Sequence, residues 1–524
     1  MTSGLRVRHV SDGALLVEFP DVSDEEANRS AVALASWLTS RRRGGPEDAV
    51  PGARTLFCAF DPGRISHEEL AREIESAPRL TMNAAAGREH AIDVAYGGPD
   101  LESVARSAGL SAEEVSVRHA AADYRVAFLG FAPGFAYLTG LPPELALPRL
   151  STPRPRVPAG SVAVAGGYSG IYPAESPGGW NLIGRAGARL FDPDRDPPAL
   201  LAPGDRVRFR ARRPEELERP EPPASPNSAP APGRGTALFR VVSTGLWCAP
   251  VGAPIPGRGA SGLPPSGAMD PAALAHGNAL LGNAAGAAAL EFAVTGPQLE
   301  ALEDVRIGIA GGACDAAVDG RTLSGGPRAS VRRGQRLALG PVRRGVRAYL
   351  CVAGGLEPPG PLGIPTRLAA GDLLFGSLAP AYPVGGVDPG APEITADPVV
   401  RIVLGPQEDW FAREGVAALL NSPFRISSTS DRRGIRLEGP ALAFRGASEI
   451  PPEGTPLGAI QVPGDGQPIV LGPDRPVTGG YPKIATVISA DFRLVAQARP
   501  GTFVRFRVVS LSEAVAARRR IAAS

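Results

Sequence analysis

The feature that most constrains the fold of this chain is an internal repeat shared by its two halves. The segments VPAG at 157, PGGWNLIGRA at 177 and APGDRVRF at 202 recur as VPGDG at 462, TGGYPKIATV at 478 and RPGTFVRF at 499. Self-similarity of this kind indicates duplicated architecture, so we expect the same β-barrel twice. A weaker echo, VRRGQRLAL at 331, predicts a third barrel between the two copies.

Local composition divides the chain into domains. Residues 213–236 are rich in Pro, Ala, Ser and Glu, which is typical of an extended linker. Short apolar runs separated by Gly and Pro favour β-barrels on both sides of this linker. We therefore predict a mainly β protein with several barrels in tandem, divided into an α/β leader (1–88), a barrel (89–212), the linker (213–236), a second barrel (237–398) and a third barrel (399–524).

Hydrophobic periodicity predicts individual elements within these domains. In the helix expected at Asp270–Leu281, Asp270 can act as the N-cap and Pro271 occupies the first turn. The other predicted elements are strands at Ala14–Phe19 and Thr55–Phe60, helices near Asp24–Ser40 and Ser66–Ala77, a helical stretch near Leu101–Ala122 and a helix at Asp409–Leu420.

Charge and residue spacing exclude several classes of protein. The 55 basic and 53 acidic side chains give a net charge of +2, which is too small to indicate nucleic-acid binding. The 4 cysteines and 5 histidines have neither disulfide-framework nor metal-ligand spacing. Asp12 and Glu18 interrupt the first apolar run, and no run reaches the roughly 20 residues that cross a bilayer. We expect a cytoplasmic protein with no metal site and no membrane contact.

Lys483 is the only lysine in the chain, so every other residue among the 55 basic side chains is an arginine. A lysine that persists against this bias indicates a position that requires a compact or deprotonatable amine, because arginine stays charged and forked. Survival by chance is the alternative.

A cation follows each Gly-Gly-aromatic turn of the repeat, Arg185 in the first half and Lys483 in the second. Glycines allow a ligand to approach backbone N–H groups, so both turns suit an anionic ligand. The alternative is that each turn is only a structural hairpin.

The segment at residues 128–160 concentrates aromatic residues and prolines with Arg149, Arg154 and Arg156. Irregular loops on a rigid barrel often carry binding groups, which favours a pocket wall with cationic groups over a plug that closes the barrel.

A second charged segment, SSTSDRRGIRLEGPAL at 427, has Asp431, Arg432, Arg433 and Arg436 around a predicted turn. These charges form either a solvated surface or a site that holds a carboxylate or phosphate through bidentate contacts.

Several common enzyme signatures are missing from the sequence. The only lysine follows Pro482, so there is no P-loop, and GRGASG at 257 lacks the strand-turn-helix context of a dinucleotide site. No G-x-S-x-G elbow and no Met-Lys-Met biotin attachment site is present. We therefore expect no covalently attached biotin in this chain.

The first half resembles the B subunit of 5-oxoprolinase, also called allophanate hydrolase subunit 1. The resemblance rests on FAPGFAYLTGL, PRLSTPR, VPAGSVAVAGG, GIYP and SPGGWNLIGR between residues 131 and 185. The second half resembles the C subunit, or allophanate hydrolase subunit 2, through SGAMDPAALAHGNALLGN at 266, LEFAVTGPQL at 290, GPQEDWF at 405, SDRRGIRLEGP at 430 and the segment GAIQVPGDGQPIVLGPDRPVTGGYPKIATVISAD at 458. Of the Gln-Asp-x-Gly-Arg element usual in the C subunit, Gly257 and Arg258 remain.

The resemblance implies cyclophilin-like barrels and an ATP-dependent 5-oxoprolinase, with Mg²⁺ as the counterion of ATP. Such an enzyme opens 5-oxo-L-proline, a small anionic substrate, to L-glutamate together with a separate A subunit. Two alternatives remain: a biotin-dependent carboxyltransferase acting on urea or a similar amide, and a non-catalytic regulator that resembles a histidine-kinase inhibitor. Assembly into a homo-oligomer is compatible with each of them.

Two candidate sites follow from these patterns. In the first half, aromatic side chains are expected to form an apolar wall and arginines to hold an anionic group: Phe135, Tyr137, Arg154, Tyr172, Trp180 and Arg185. In the second half, the expected catalytic residues are Lys483 and Asp431, and the expected substrate-binding residues are Arg258, Asp270, Asn278, Arg432, Arg436, Gln461 and Gln467.

Replacement of the solitary lysine tests the second site. From the sequence alone, Lys483→Arg is expected to leave the melting temperature unchanged and to lower turnover at least about tenfold, or about 1.4 kcal/mol of transition-state stabilisation. A fully active variant would mean that the lysine survives by chance.

Overall fold

The computed structural model describes residues 4–41, 45–78, 87–217, 235–323, 326–360, 362–378 and 393–523. Most of the predicted linker, residues 218–234, lies outside the described residues. At its described ends, Pro214–Glu216 form a 3-10 turn and Thr236 already belongs to a strand.

The leader domain is a four-stranded antiparallel sheet with two helices. Leu15 and Val17 face the helices, whereas Leu16 packs with Phe57 against Val477 near the other end of the chain. Both faces of the sheet are therefore buried, one by helices and one by the last domain. The elements are β1 (Arg6–Ser11), β2 (Ala14–Glu18), α1 (Asp24–Ser40), β3 (Asp48–Pro51), β4 (Thr55–Ala59) and α2 (His67–Glu75), with the sheet order β1-β2-β4-β3.

The next domain is a closed barrel of seven strands accompanied by a two-stranded ribbon. Its elements are β5 (Glu89–Tyr96), α3 (Leu101–Ala108), α4 (Ala112–Ala121), β6 (Tyr124–Leu129), β7 (Ala136–Thr139), β8 (Arg154–Val157), β9 (Ser161–Ala165), β10 (Tyr168–Ile171), β11 (Ser176–Gly178), β12 (Asn181–Ala186) and β13 (Arg206–Ala211). The barrel order is β10-β7-β6-β13-β5-β12-β9, and β8 pairs with β11 in the ribbon.

The predicted helical stretch of this barrel domain consists of two helices. Gly109 ends α3 with φ +68°, a left-handed conformation that suits glycine, and Ser111 then caps α4 by accepting a hydrogen bond from the Glu114 N–H at 3.2 Å. The helical stretch predicted near Leu101–Ala122 is therefore confirmed, and the structure divides it into two helices.

The described strands of the middle domain form a nine-stranded sheet that does not close. Its elements are β14 (Thr236–Ser243), β15 (Trp247–Val251), α5 (Pro271–Ala279), β16 (Ala289–Ala293), β17 (Gln298–Ala301), β18 (Val305–Val318), β19 (Arg321–Thr322), β20 (Arg328–Val331), β21 (Arg336–Val352) and β22 (Leu373–Gly376). The long strand β21 pairs with β16, β17 and β18, and the β18 pairing contains several irregularities of register.

The third barrel predicted for the middle domain is thus corrected to a sheet that remains open. The echo at residue 331 marks only a shared turn, because Gly334, Gly204 and Gly501 adopt φ +83°, +94° and +89° just before a strand. A turn sequence specifies local conformation, whereas closure of a barrel depends on which distant strands pair.

The last domain is a second closed barrel of seven strands with its own ribbon. Its elements are β23 (Val399–Leu404), α6 (Arg413–Asn421), β24 (Phe424–Ile426), β25 (Gly434–Glu438), β26 (Glu453–Gly454), β27 (Ala459–Gln461), β28 (Ile469–Leu471), β29 (Thr478–Gly479), β30 (Lys483–Val487), α7 (Phe492–Ala496), β31 (Phe503–Val508) and α8 (Leu511–Ala523). The barrel order is β23-β30-β27-β28-β25-β24-β31, and β26 pairs with β29.

The two barrels have the same topology, which confirms the duplication. In each, the first strand pairs in parallel with the last, β5 with β13 and β23 with β31, and every other barrel pair is antiparallel.

The register of the repeat differs from the sequence match at one point. The Gly160 N–H donates to the carbonyl of Tyr172 at 2.7 Å, and the Gly458 N–H donates to that of Leu471 at 2.9 Å. VPAG at 157 therefore corresponds to TPLG at 455, whereas VPGDG at 462 lies in the next turn, between β27 and β28.

The contact between the leader and the second barrel contains a buried acid. The Asp12 carboxylate accepts hydrogen bonds from the N–H and hydroxyl of Ser489, at 3.2 and 3.0 Å. Burial raises the pKa of the Asp12 carboxyl above its ordinary value, although Arg518 and Ser489 favour its ionised form. The folded protein therefore holds this proton more tightly than the unfolded chain, and its stabilising effect is lost as pH rises through the folded-state pKa.

Asp12→Asn should raise the melting temperature at neutral pH, because the amide oxygen can accept the same hydrogen bonds without a buried charge. The difference should shrink as the pH falls through the raised folded-state pKa of Asp12, because the native carboxyl then also becomes neutral. Thermal unfolding across this range, with the exposed Asp21→Asn as control, measures the effect. A difference that grows on acidification would contradict this account.

Candidate functional site at the junction of the barrels

The leader turn at residues 51–54 joins the two barrels. Ala53 packs in an apolar cluster on the first barrel, and its N–H donates to the carbonyl of Pro452 in the second barrel at 2.7 Å. Beside this turn, Gly130 of the first barrel lies against Thr478 of the second so closely that a Cβ at 130 would overlap the threonine hydroxyl. The three domains meet at this junction.

An aromatic cluster lies on the first-barrel side of the junction and comprises Phe128, Phe135, Tyr137, Tyr172 and Trp180. The ring centroids of Phe135 and Tyr172 are 5.2 Å apart, those of Phe135 and Trp180 are 5.4 Å apart, and both pairs are edge-to-face. The four aromatic residues predicted for the first site are therefore brought together, and they are buried against each other.

Phe131 extends this aromatic cluster to the surface. It has φ +65°, which is costly for a bulky side chain, and it is 37 % exposed. Its ring centroid lies 5.3 Å from that of Phe135 and 6.1 Å from that of Tyr172, and both pairs are edge-to-face. We did not select Phe131 from the sequence, although its position between Gly130 and Pro133 was a signal of unusual backbone.

Arg154 lies at the edge of the aromatic cluster with one nitrogen available. Its Nη2 donates to Asp100 at 2.6 Å, whereas its Nη1 is buried and has no hydrogen-bond partner in the described part of the chain. The second Asp100 oxygen accepts the Leu182 N–H at 2.7 Å, so this carboxylate holds Arg154 in place. Asp100 is a site residue that sequence reasoning missed.

A polar cluster occupies the second-barrel side and comprises Gln407, Glu453, Gln461 and Lys483, all buried. The Lys483 ammonium is fully buried and forms an ion pair with Glu453, whose carboxylate also accepts a hydrogen bond from Gln407 at 2.7 Å. Gln461 pairs with Lys483 across neighbouring strands. Of the residues predicted around Lys483, Gln461 is the one that the structure brings beside it.

The aromatic and polar clusters occupy equivalent positions in the two barrels. The Leu182 N–H donates to Asp100, and the Lys483 N–H donates to Gln407 at 3.2 Å, so Lys483 takes the place of Leu182 and Gln407 that of Asp100. The shared Gly-Pro before Asp100 and Gln407 was the sequence signal for this equivalence.

The two-stranded ribbons also have equivalent positions, but the side chains at these positions carry opposite charges. Arg154 pairs with Gly178 in the first ribbon, and Glu453 pairs with Gly479 in the second. An arginine in one barrel thus corresponds to a glutamate in the other. Arg185, in contrast, is exposed and is not the counterpart of Lys483. The Ala186 N–H donates to the Gly160 carbonyl, and the Val487 N–H donates to the Gly458 carbonyl, so Arg185 corresponds to Thr486.

Other predicted residues of the second site lie in a hairpin or a loop. Asp431 accepts the backbone N–H groups of Arg433 and Gly434, at 2.8 and 3.1 Å, and is half-exposed. Arg436 is exposed on β25, and Gln467 exchanges hydrogen bonds with the backbone of Gly439. These contacts stabilise turns, and none of them involves Lys483.

A separate buried network joins the middle sheet to the second barrel. Arg432 donates to Glu291 at 2.8 Å, to Asp474 at 2.7 Å and to the carbonyl of Gly267 at 2.5 Å. Burial of the Glu291 carboxyl opposes its ionisation, but Arg432 and Arg347 together hold its pKa below the ordinary value. Arg432 therefore links domains, and Glu291 is the partner that the sequence did not identify.

Three further predicted residues form hydrogen bonds with other parts of the protein. Asp270 caps α5 through the Ala273 N–H at 3.1 Å and accepts from Gln497 at 2.9 Å, as its predicted capping role requires. Asn278 donates to the carbonyl of Ala287 at 2.8 Å. Arg258 donates to the carbonyl of Leu362 at 2.7 Å.

In the described ranges, no group of three or more His, Cys, Asp and Glu side chains could hold a metal ion. The same ranges contain no helix with the length and apolarity needed to span a membrane.

Lys483→Met should lower the free energy of unfolding by about 3–5 kcal/mol, because it leaves Glu453 buried without a counterion. The double variant Lys483→Met/Glu453→Gln should recover most of this loss. Denaturant unfolding measures both, and Arg425→Met, which breaks the exposed pair with Glu438, should cost less than about 1 kcal/mol. If the single variant cost no more than this control, the pair would not be a buried charge pair.

The burial of Lys483 also changes the sequence-based expectation for Lys483→Arg. A larger side chain at a fully buried position overpacks its surroundings, so a reduced melting temperature is now expected where an unchanged one was predicted.

Comparison with known proteins follows the two halves of the structure. The carboxyltransferase domain family matches residues 5–201 with its subdomains C and D and residues 261–508 with its subdomains A and B. The crystal structure of TTHA0988 has a TM-score of 0.82 and 40% identity, covering 96% of this chain and 100% of that one.

Curated relatives match each half in turn. The 5-oxoprolinase B subunit of Bacillus subtilis is 37% identical over 227 residues, which are 40% of this chain and 93% of that protein. The 5-oxoprolinase C subunit of Escherichia coli is 34% identical over 292 residues, which are 54% of this chain and 94% of that protein. The urea amidolyase of Lachancea kluyveri is a more distant relative, 28% identical over 48% of this chain and 16% of its own length. This chain therefore belongs to the family of 5-oxoprolinase B and C subunits and carries both of them fused in one polypeptide.

Proposed function

We propose that the chain is the B/C component of an ATP-dependent 5-oxoprolinase, which opens 5-oxo-L-proline to L-glutamate in the cytoplasm with a separate A subunit. The observation that carries this proposal is the nearly complete match to both subunits within one chain, over 93% of a B subunit and 94% of a C subunit. From the same resemblance we propose that both closed barrels are cyclophilin-like.

The junction supports this proposal because its groups suit a small carboxylate. The buried Arg154 Nη1 is an unused donor beside the aromatic cluster, and Asp100 fixes the orientation of the guanidinium. An arginine positioned in this way can bind a carboxylate through a charge-assisted hydrogen bond. We assign the carboxylate of 5-oxo-L-proline to Arg154 and the edge of its ring to the exposed face of Phe131.

The proposed chemistry needs ATP because an unstrained lactam is a poor electrophile. Transfer of the γ-phosphoryl group to the lactam oxygen releases ADP and makes that oxygen a good leaving group. A first water then adds to the carbon and the C–N bond breaks, which leaves the γ-carbonyl as an acyl phosphate. A second water attacks this carbonyl and displaces phosphate, so over the whole reaction ATP, the lactam and two waters give ADP, phosphate and glutamate. This chain contributes substrate positioning, and we assign ATP with its Mg²⁺ to the complex with the A subunit.

Reconstitution tests the function directly. The purified chain with a matching A subunit, ATP and 5-oxo-L-proline should form ADP and glutamate in equal amounts, and neither protein alone should do so. If the mixture forms no more product than the separate proteins, the proposal is wrong.

Arg154→Gln tests the assigned carboxylate contact. In the reconstituted enzyme we expect kcat/KM for 5-oxo-L-proline to fall at least about tenfold, equivalent to about 1.4 kcal/mol, because one charged hydrogen bond is lost. Arg156→Gln is the matched control, because this arginine lies on the same strand with its side chain 81% exposed. Equal kinetics of the two variants would contradict the assignment.

A biotin-dependent carboxyltransferase is the second candidate. It is favoured by the match to carboxyltransferase subdomains over both halves and by the relationship to urea amidolyase. Transfer of a carboxyl group from a separate biotinylated carrier to urea, measured with labelled bicarbonate, would support this alternative.

A further inference from the structure

A cavity of 530 Å³ lies between the leader helix α1 and the first barrel. Its volume falls in the range of roughly 300–1,000 Å³ that is usual for small-molecule pockets. Its walls come from two domains: the helix contributes Asn28 and Arg29, the leader turn contributes Ala53, and the barrel contributes Arg125 and Tyr168. None of these residues was among the predicted site residues.

The acidic groups that line the cavity already have cationic partners. Asp24 pairs with Arg54, and Glu25 pairs with Arg29. Asp123 lies 3.4 Å from the Nε of Arg208, which is outside the cavity lining. These carboxylates are therefore balanced by their neighbours.

Within the described residues, the arginines of the barrel wall form no such ion pairs, although Glu25 acts electrostatically on Arg125. In the described part of the chain, neither Arg125 nor Arg206 forms a side-chain ion pair or hydrogen bond, and the Nε of Arg125 is buried without an acceptor. Arg29 also has a buried Nε without an acceptor, although its Nη2 contacts Glu25. Buried N–H donors without an acceptor are costly, and an anionic oxygen would satisfy them.

Part of the remaining wall is apolar. The Tyr168 ring packs edge-on against Phe128 and Tyr137, with centroids 5.9 and 5.6 Å apart, so the aromatic cluster fixes its position. Ala53 and Ala127 continue this wall. Such a surface suits the face of a planar ring.

We propose that this cavity binds a small organic anion, with its phosphate or carboxylate group on Arg125 and Arg206 and a planar ring against Tyr168. The inference does not depend on the proposed reaction, because it concerns binding by this chain alone. The Tyr168 ring packs against the aromatic cluster. A ligand bound against Tyr168 would therefore lie next to the cluster that forms a wall of the candidate site.

Calorimetric titration of the full chain on its own tests the proposal, with three separate probes: ATP, inorganic phosphate and 5-oxo-L-proline. ATP binding would identify a phosphate ligand with a ring, and binding of 5-oxo-L-proline would identify a carboxylate ligand. For whichever probe binds, Arg125→Gln and Arg206→Gln should each weaken the affinity at least about tenfold.

Arg106→Gln is the matched control, because Arg106 is exposed on α3 and lies outside the cavity lining, and it should change the affinity less than about twofold. Arg206 is exposed, so its variant is expected to remain folded, which unchanged thermal unfolding would verify. If no probe binds, or if both cavity variants bind like the control, the proposal is wrong. This failure is distinct from that of the proposed function, which is measured as turnover in the reconstituted enzyme.

Discussion

The contact on which the arrangement of this molecule depends is the burial of the leader turn between the two barrels. Residues 51–54 meet the aromatic cluster through Ala53 on one side and the backbone of Pro452 on the other. The sheet behind this turn is apolar on both faces, so it cannot be stable until helices cover one face and the second barrel covers the other. The leader packs against both barrels and therefore fixes their relative orientation.

Duplication provided two copies of one scaffold, and divergence gave them different chemistry. The positions of Asp100, Arg154 and Leu182 in the first barrel are taken by Gln407, Glu453 and Lys483 in the second. One copy thus presents a positioned cation with an unused donor beside aromatic rings, whereas the other contains a buried ion pair. A buried pair is stable only while both partners are present, so this half of the junction is constrained as a unit. Asymmetry of this kind allows two similar barrels to contribute different groups to one site.

Much of the candidate site could be predicted where local sequence determines it. The four aromatic residues of the first site were identified from a dense motif, and they do pack together. The partners of the charged groups could not be predicted in the same way, because Glu453 is 30 residues from Lys483 and Glu291 is 141 residues from Arg432. Pairings across such separations depend on strand register and domain packing. Proximity in sequence was also a poor guide for Asp431. This residue is adjacent to Arg432, but its carboxylate accepts a hydrogen bond from the backbone N–H of Arg433 within the same hairpin.

The sequence by itself determined the duplicated barrel, the α/β leader and the family, because turns, hydrophobic periodicity and repeated motifs are local properties of the chain. It did not determine that the middle sheet stays open or that VPAG at 157 corresponds to TPLG at 455. Nor did it indicate that Arg185 is exposed while Lys483 is fully buried. Those outcomes depend on which strands pair and which faces meet, and only the tertiary structure decides them, because burial and charge pairing are established between residues that are distant in sequence.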